Sequence, residues 1–219
     1  MTRSCSTLLA LLVPALLLSA CGDTEEAGSG EPVLGETVEL ETAAGQILIK
    51  EPGEETFATL EEVTTVPVGT EIDASKGTVR MTSATDDGGT QSGEFSQGGF
   101  EVSQKSDASE VTLALRGGDF SECKTKAAER DRSTVGGPEI RRLFVKADGN
   151  FRTEGRFAAA AIRGTEFTAV DACFGTLTAV TEGDVLVTDL TADKEIELSA
   201  DEDYWAAQRP ATSTVGPQG

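Results

Sequence analysis

Histidine is absent from this 219-residue sequence, and positively charged residues are scarce. Without histidine, the chain lacks the commonest general base and a leading zinc ligand. The sequence has 18 Lys and Arg residues and 38 Asp and Glu residues, which gives a formal net charge of −20. This charge argues against nucleic acid as a partner, because nucleic-acid binding needs a cationic surface. It also argues against the domain lying flat on anionic lipid, and it is typical of a protein kept soluble outside the cell.

Long apolar runs are also missing, apart from one near the N-terminus. That run, Leu8 to Leu18, would rise about 16 Å as a helix, which is about half the hydrocarbon core of a bilayer. It ends in Leu18-Ser19-Ala20-Cys21, an order that resembles the lipobox of bacterial lipoproteins. We therefore expect residues 1–20 to be a lipoprotein signal peptide and Cys21 to be the acylated mature N-terminus. The alternative is an ordinary signal peptide that ends near a cysteine by chance.

The four cysteines are not equivalent. Cys5 leaves with the signal peptide and Cys21 is expected to carry lipid, so Cys123 and Cys173 remain as a pair in an exported protein. A disulfide between them would close a loop of about fifty residues and stabilise the fold by about 4 kcal/mol. Two buried thiols or a metal site are the alternatives, and the lack of histidine and of a CxxC pair disfavours metal. We predict the disulfide.

The mature chain predicts an all-β domain over residues 36–206. Short runs of alternating apolar and polar residues, rich in Val, Thr, Ile and Phe, are separated by Gly, Pro and Asp clusters. Residues 121–134 are charged and lack an apolar stripe, which indicates a short exposed helix or a connector. The Gly-rich polar residues 21–35 indicate a flexible tether, and residues 207–219 indicate a disordered tail.

Two blocks of the sequence repeat one order of residues. Val68-Gly-Thr-Glu-Ile72 precedes Gly77-Thr-Val, and Arg163-Gly-Thr-Glu-Phe167 precedes Gly175-Thr-Leu. The match suggests two similar halves, residues 36–120 and 139–206, although a Gly- and Thr-rich sequence could give it by coincidence.

The second half resembles the FecR domain family. The motif Arg163, Gly164, Thr165, Glu166, Phe167 carries the resemblance, followed by Gly175 to Val180 and by Glu182 to Val187. The first half is similar to FecR-like secreted proteins of high-GC Gram-positive bacteria at Gly45 to Gly53 and Val66 to Val79. The resemblance implies a β-sandwich or a β-solenoid-like stack of short antiparallel strands.

Particular positions follow from this resemblance. Gly164 and Gly183 should lie at tight strand junctions. The interior should be filled by Phe167, Leu177, Val180, Val185 and Val187.

The chain also departs from the family. The best-known members carry a cytoplasmic segment and a membrane helix, and this sequence shows neither. Where the family has glycine near the end, this chain has Asp201, which adopts a left-handed conformation less readily.

Chemistry-bearing residues form no recognisable catalytic constellation. Asp86 and Asp87, or Asp201 to Asp203, could bind Ca²⁺, but neither pair follows the EF-hand spacing and loop acids are usually solvated. Tyr204 and Trp205 could be a ligand platform, although closure of an apolar core is the favoured interpretation. Residues 116–163 hold eleven Lys and Arg against seven Asp and Glu. They should neutralise the protein's own acids, or dock an anionic partner.

These patterns predict a lipid-anchored protein on the extracytoplasmic face of the cell membrane. We expect a non-enzymatic binding or sensing module of the cell envelope, without catalytic residues, metal or cofactor. Its partner besides the membrane would be an envelope protein or an anionic polymer, and not nucleic acid. The alternatives are a passive structural component of the envelope and a carboxylate-dependent glycan hydrolase.

Replacing Cys21 with serine should abolish acylation, because serine has no thiol to carry the lipid. We expect the variant to leave the membrane fraction, and mass spectrometry of the N-terminal peptide to show no lipid. A serine variant that is cleaved at the same bond and stays in the membrane would contradict the anchor.

Overall fold

A computed structural model describes residues 30–124, 137–162 and 164–208, and its chain is nearly all β. The all-β prediction is confirmed. Cys21, Arg163, residues 125–134 of the predicted connector and residues 209–219 of the predicted tail lie outside the described residues. Gly30 and Gly35 in the predicted tether are hydrogen-bonded to Thr65 and Gln104 of the domain.

Fifteen strands and one 3₁₀ turn, Phe120–Lys124, make up the described part of the chain. The strands, numbered in chain order, are β1 (Thr37–Lys50), β2 (Ala58–Thr59), β3 (Thr64–Pro67), β4 (Glu71–Ala84), β5 (Thr90–Ser96), β6 (Gly99–Gln104), β7 (Val111–Arg116), β8 (Glu139–Asp148), β9 (Phe151–Glu154), β10 (Ala158–Ile162), β11 (Thr165–Ala172), β12 (Gly175–Glu182), β13 (Asp184–Asp189), β14 (Lys194–Ser199) and β15 (Asp203–Ala207).

The strands form one sheet that nearly closes into a barrel. Its order is β14-β13-β10-β9-β7-β6-β4-β5-β8-β11-β12-β15, with β1 paired to β2, β3 and β4. Neighbours are antiparallel except β7 and β9, which are parallel. The pairs β5–β8 and β7–β9 join the two sequence halves in the same sheet. Among the described residues, no helix has the length and hydropathy needed to cross a bilayer.

The two longest strands, β1 and β4, pair side by side and come especially close at Gly45 and Gly77. A Cβ on Gly45 would lie 2.3 Å from the Lys76 carbonyl oxygen, and one on Gly77 would lie 2.5 Å from the Ala44 carbonyl oxygen. Only glycine allows this approach, and the register of the pair shifts on both sides of it.

Register places five apolar side chains opposite one another across β4, β5, β8, β11 and β12. We call this set the inner row. All are buried, and Phe95 also contacts the rings of Phe100 and Phe151 at 5.4 and 5.6 Å between centroids. The inner row consists of Val79, Phe95, Val145, Phe167 and Val180.

Phe167, Val180, Val185 and Val187 are buried, as predicted, but Leu177 is not. Side chains alternate along a strand, so inward-facing Val180 requires inward-facing Thr178 and Thr176, which are buried. Leu177 therefore lies on the other face, opposite Trp205 of β15. The prediction for Leu177 was wrong because it broke the two-residue period.

The sulfur atoms of Cys123 and Cys173 lie at bonding distance, 2.13 Å, as the predicted disulfide requires. Their Cα atoms are 5.1 Å apart. The bond ties the 3₁₀ turn, where the predicted connector begins, to the turn between β11 and β12.

Phe167→Ala should lower the free energy of unfolding by about 3–5 kcal/mol through lost burial and a residual cavity. Phe57→Ala is the matched control, because Phe57 is 40% exposed and its loss should cost about 1 kcal/mol or less. Denaturant unfolding of both variants measures the difference. Equal stabilities would mean that the inner row is not the core.

Candidate functional site

Gly164 and Gly183 lie at two adjacent strand junctions that contact each other. Gly164 precedes β11 with φ 70°, and Gly183 joins β12 to β13 with φ 81°. A Cβ on Gly183 would lie 2.6 Å from the Gly164 carbonyl oxygen. The Thr165 hydroxyl donates a 2.9 Å hydrogen bond to the Asp184 carbonyl oxygen, which locks the junctions together. Both glycines therefore occupy tight strand junctions, as the resemblance implied.

The motif's side chains diverge from this junction. Phe167 points into the core as part of the inner row, whereas Glu166 lies on the outer face. Thr165 is buried between the two junctions. Arg163, the first residue of the motif, lies outside the described residues.

Beside the inner row, six charged side chains lie opposite one another on the outer face of the sheet. Arg80 forms ion pairs with Glu41 at 3.0 Å and with Glu94 at 2.8 Å, and these contacts raise its pKa, the Glu94 hydrogen bond most. Lys146 lies 3.3 Å from Glu166. We call the set the charge row, which consists of Glu41, Arg80, Glu94, Lys146, Glu166 and Glu182.

Signs alternate along the charge row until its last two members, Glu166 and Glu182. These two carboxylates lie directly opposite each other on β11 and β12, next to a shift in register. Like charges in this position are destabilising. Glu166 is paired with Lys146, but Glu182 is exposed and has no ion pair within the described residues.

A cleft of about 350 Å³ opens beside this end of the charge row. Gly93 lies on its lining, where a Cβ would be 2.6 Å from the Phe95 ring and 2.7 Å from the Ala147 side chain. The cleft is lined by two cations and four carboxylates and also by Gly164, Thr165 and backbone of β5. Its excess of negative charge suits the recognition of a cationic group.

The acidic loops considered for calcium are hydrogen-bonded within themselves or to nearby loops. The Thr85 hydroxyl and the Gly89 amide donate to Asp87, which lowers its pKa, and the Ser109 hydroxyl donates to Asp86. Asp201 adopts φ 66°, so the last turn keeps the left-handed conformation despite the loss of glycine. Among the described residues, no three His, Cys, Asp or Glu side chains are placed to hold a metal ion.

Tyr204 and Trp205 are both half-buried and lie on opposite faces of β15, so they do not form one exposed platform. The Tyr204 hydroxyl donates a 2.7 Å hydrogen bond to buried Asp189, and Trp205 packs on Gly175. Burial raises the pKa of Asp189, but hydrogen bonds from Tyr204, Ala192 and Thr191 outweigh that effect and lower it. The favoured interpretation, closure of the apolar core, therefore fits Tyr204, which packs against the core, but not Trp205, which lies opposite Leu177.

A fully buried carboxylate, Asp171, was missed by the sequence reasoning. Arg141 pairs with it at 2.8 Å, and the Arg156 amide and the Thr176 hydroxyl also donate to it. Alternation from Phe167 through Ala169 would have placed Asp171 inside.

Several other basic residues of segment 116–163 also form ion pairs with acids of the protein itself. This favours the interpretation that the segment neutralises the protein's own acids. The further pairs are Arg116–Glu101, Arg142–Glu139, Lys146–Glu166 and Arg152–Glu154.

Comparisons with protein-family models, with curated proteins and with solved structures found no match for this chain. The role of the cleft therefore has to be argued from its geometry and charge.

Glu182→Lys should stabilise the protein by about 0.2–1 kcal/mol at low salt, because it replaces a like-charge pair with an opposite-charge pair. Glu197→Lys is the control: it changes the net charge equally, but Glu197 lies opposite Leu186. Thermal unfolding should show the gain for Glu182→Lys alone, and about 1 M salt should remove it. A loss of stability would contradict the like-charge pair.

Proposed function

We propose that this protein is a FecR-like, lipid-anchored and non-enzymatic binding module of the cell envelope, displayed on the extracytoplasmic face. The lipobox-like sequence ending at Cys21 supports the anchor. The motif from Gly164 to Phe167 supports the family resemblance, because Gly164, and Gly183 outside the motif, take the positions that the resemblance implied.

The observation that carries the binding role is the unbalanced end of the charge row. Glu166 and Glu182 stand opposite each other at the rim of a cleft that holds more carboxylates than cations. A cationic segment of an envelope protein would relieve their repulsion on binding. The partner we infer is therefore a basic protein segment, and the net charge of −20 would speed its association.

The like-charge pair of Glu166 and Glu182 favours the binding role over a passive structural component and over a glycan hydrolase. A passive structural component gains nothing from a like-charge pair that costs stability. A glycan hydrolase needs two carboxyl groups that flank a bond in a sheltered site. In the cleft, Glu94 and Glu166 are instead tied to Arg80 and Lys146 on the outer face of the sheet.

Co-purification of the tagged full chain from envelope membranes tests this function. The parent and Glu197→Lys should retain the same partner, whereas Glu182→Lys should lose it although it is at least as stable as the parent. Capture should weaken as salt rises, because the contact is electrostatic.

Equal capture by all three proteins would remove the cleft as the binding surface. If none of them captures a partner, the passive structural alternative is favoured. Release of the partner together with the protein in Cys21→Ser would show that the anchor holds the protein in place and does not itself bind the partner.

A further inference from the structure

A second groove lies at the opposite end of β5 and β8 from the cleft. Its volume is about 450 Å³, within the range of about 300–1,000 Å³ that small-ligand sites occupy. The turn between β5 and β6 and the beginning of β8 form its sides, together with the Gly117 and Gly118 backbone after β7. It shares no lining residue with the cleft, so a ligand here would be independent of the proposed protein partner.

The β5–β6 turn carries a strained residue into this groove. Gln97 adopts φ 67°, a conformation that glycine usually supplies, and its side chain is exposed. The neighbouring Gly98 cannot be replaced, because a Cβ there would lie 1.8 Å from the Arg142 carbonyl oxygen. Close packing therefore requires glycine at position 98. The left-handed conformation falls instead on Gln97, a residue with a polar side chain. Strain that persists in this way is characteristic of functional sites.

Charge in the groove is balanced, unlike the rest of the molecule. Three arginines and three carboxylates line it, against a net charge of −20 for the chain. Glu139 accepts a hydrogen bond from the Arg142 Nε at 2.6 Å, which lowers the Glu139 pKa and keeps both groups charged. Local neutrality favours an uncharged ligand, while the guanidinium and carboxylate groups offer planar sets of donors and acceptors.

An exposed aromatic ring lies on the same groove. Phe57 is 40% exposed, and the Lys50 ammonium lies 5.0 Å from its ring centroid. The other large exposed apolar side chains of the described residues are aliphatic. A flat ring at the edge of a polar groove can receive the C–H face of a sugar ring, while hydroxyls at the sugar's edge bond to paired donors and acceptors.

We propose that this groove binds an uncharged oligosaccharide, such as a segment of a neutral envelope glycan. Phe57 supplies the stacking surface. Gln97, Arg142 and Glu139 are hydrogen-bonded to one another, and the donors and acceptors that these bonds leave over supply the hydrogen bonds to the sugar. The overall negative charge disfavours anionic polymers at this site. The protein would thereby contact both a protein partner and a glycan, from opposite ends of the same two strands.

Saturation-transfer NMR and calorimetry on the purified full chain test the site. The probes are maltohexaose, cellohexaose, mannohexaose and chitohexaose, with hexagalacturonate as the anionic comparison. At least one neutral probe should bind at millimolar concentration or below, and hexagalacturonate should bind at least tenfold more weakly.

Two groove variants and one control locate the binding. Phe57→Ala should weaken the neutral probe about tenfold, and Gln97→Gly should weaken it severalfold without lowering the melting temperature, since glycine relieves the strained turn. Leu190→Ala, at an exposed apolar position off the groove, should leave the affinity unchanged.

Absence of binding for all four neutral probes overturns the glycan site, and so does binding that neither groove variant weakens. Equal affinity for hexagalacturonate overturns the assignment to an uncharged ligand. None of these results bears on the proposed protein partner, because the groove and the cleft share no lining residue.

Discussion

The register of the inner row is the constraint on which the rest of this structure depends. Phe95 lies opposite Val145, which lies opposite Phe167, so β5, β8 and β11 share one buried line of contacts. A slip of one residue in any of these pairs would place Glu94, Lys146 or Glu166 in the core. The cost of burying those charges fixes the pairing. The charge row on the outer face follows from the same register.

Phe95 also connects the core to both candidate binding surfaces. Gly93, two residues before it, lies over its ring and forms part of the cleft lining. Gln97, two residues after it, begins the strained turn that lines the groove. Because the ring is buried against Phe100 and Phe151, β5 is held rigidly between these two points. Because the strand is already ordered, less conformational entropy is lost when a ligand binds, and less of the binding free energy is spent on ordering it.

Buried carboxylates show how a strongly acidic chain can still form a core. Asp171 accepts hydrogen bonds from the Arg141 side chain, a backbone amide and a hydroxyl. Asp189 accepts hydrogen bonds from the Tyr204 hydroxyl and from donors in its own turn. Each carboxylate exchanges water for several donors, so its burial does not leave an unpaired charge. The described buried polar side-chain atoms all have a hydrogen-bond partner. Among the described residues, Glu182 is an exposed acid that forms no ion pair.

Sequence by itself determined the features that depend on local pattern or on elimination. Two-residue alternation gave the all-β class, and the resemblance gave the burial of Phe167 and Val180. The expectation that Cys5 is cleaved off and Cys21 acylated left Cys123 to pair with Cys173. Register between distant strands was decided only in the tertiary structure, because alternation within a strand says nothing about its neighbour. The charge row, the pairing of Asp171 with Arg141 and the groove beside Gln97 all join residues far apart in the chain. Their contacts exist only because burial of the inner row selects one pairing among many, and local sequence does not encode that selection.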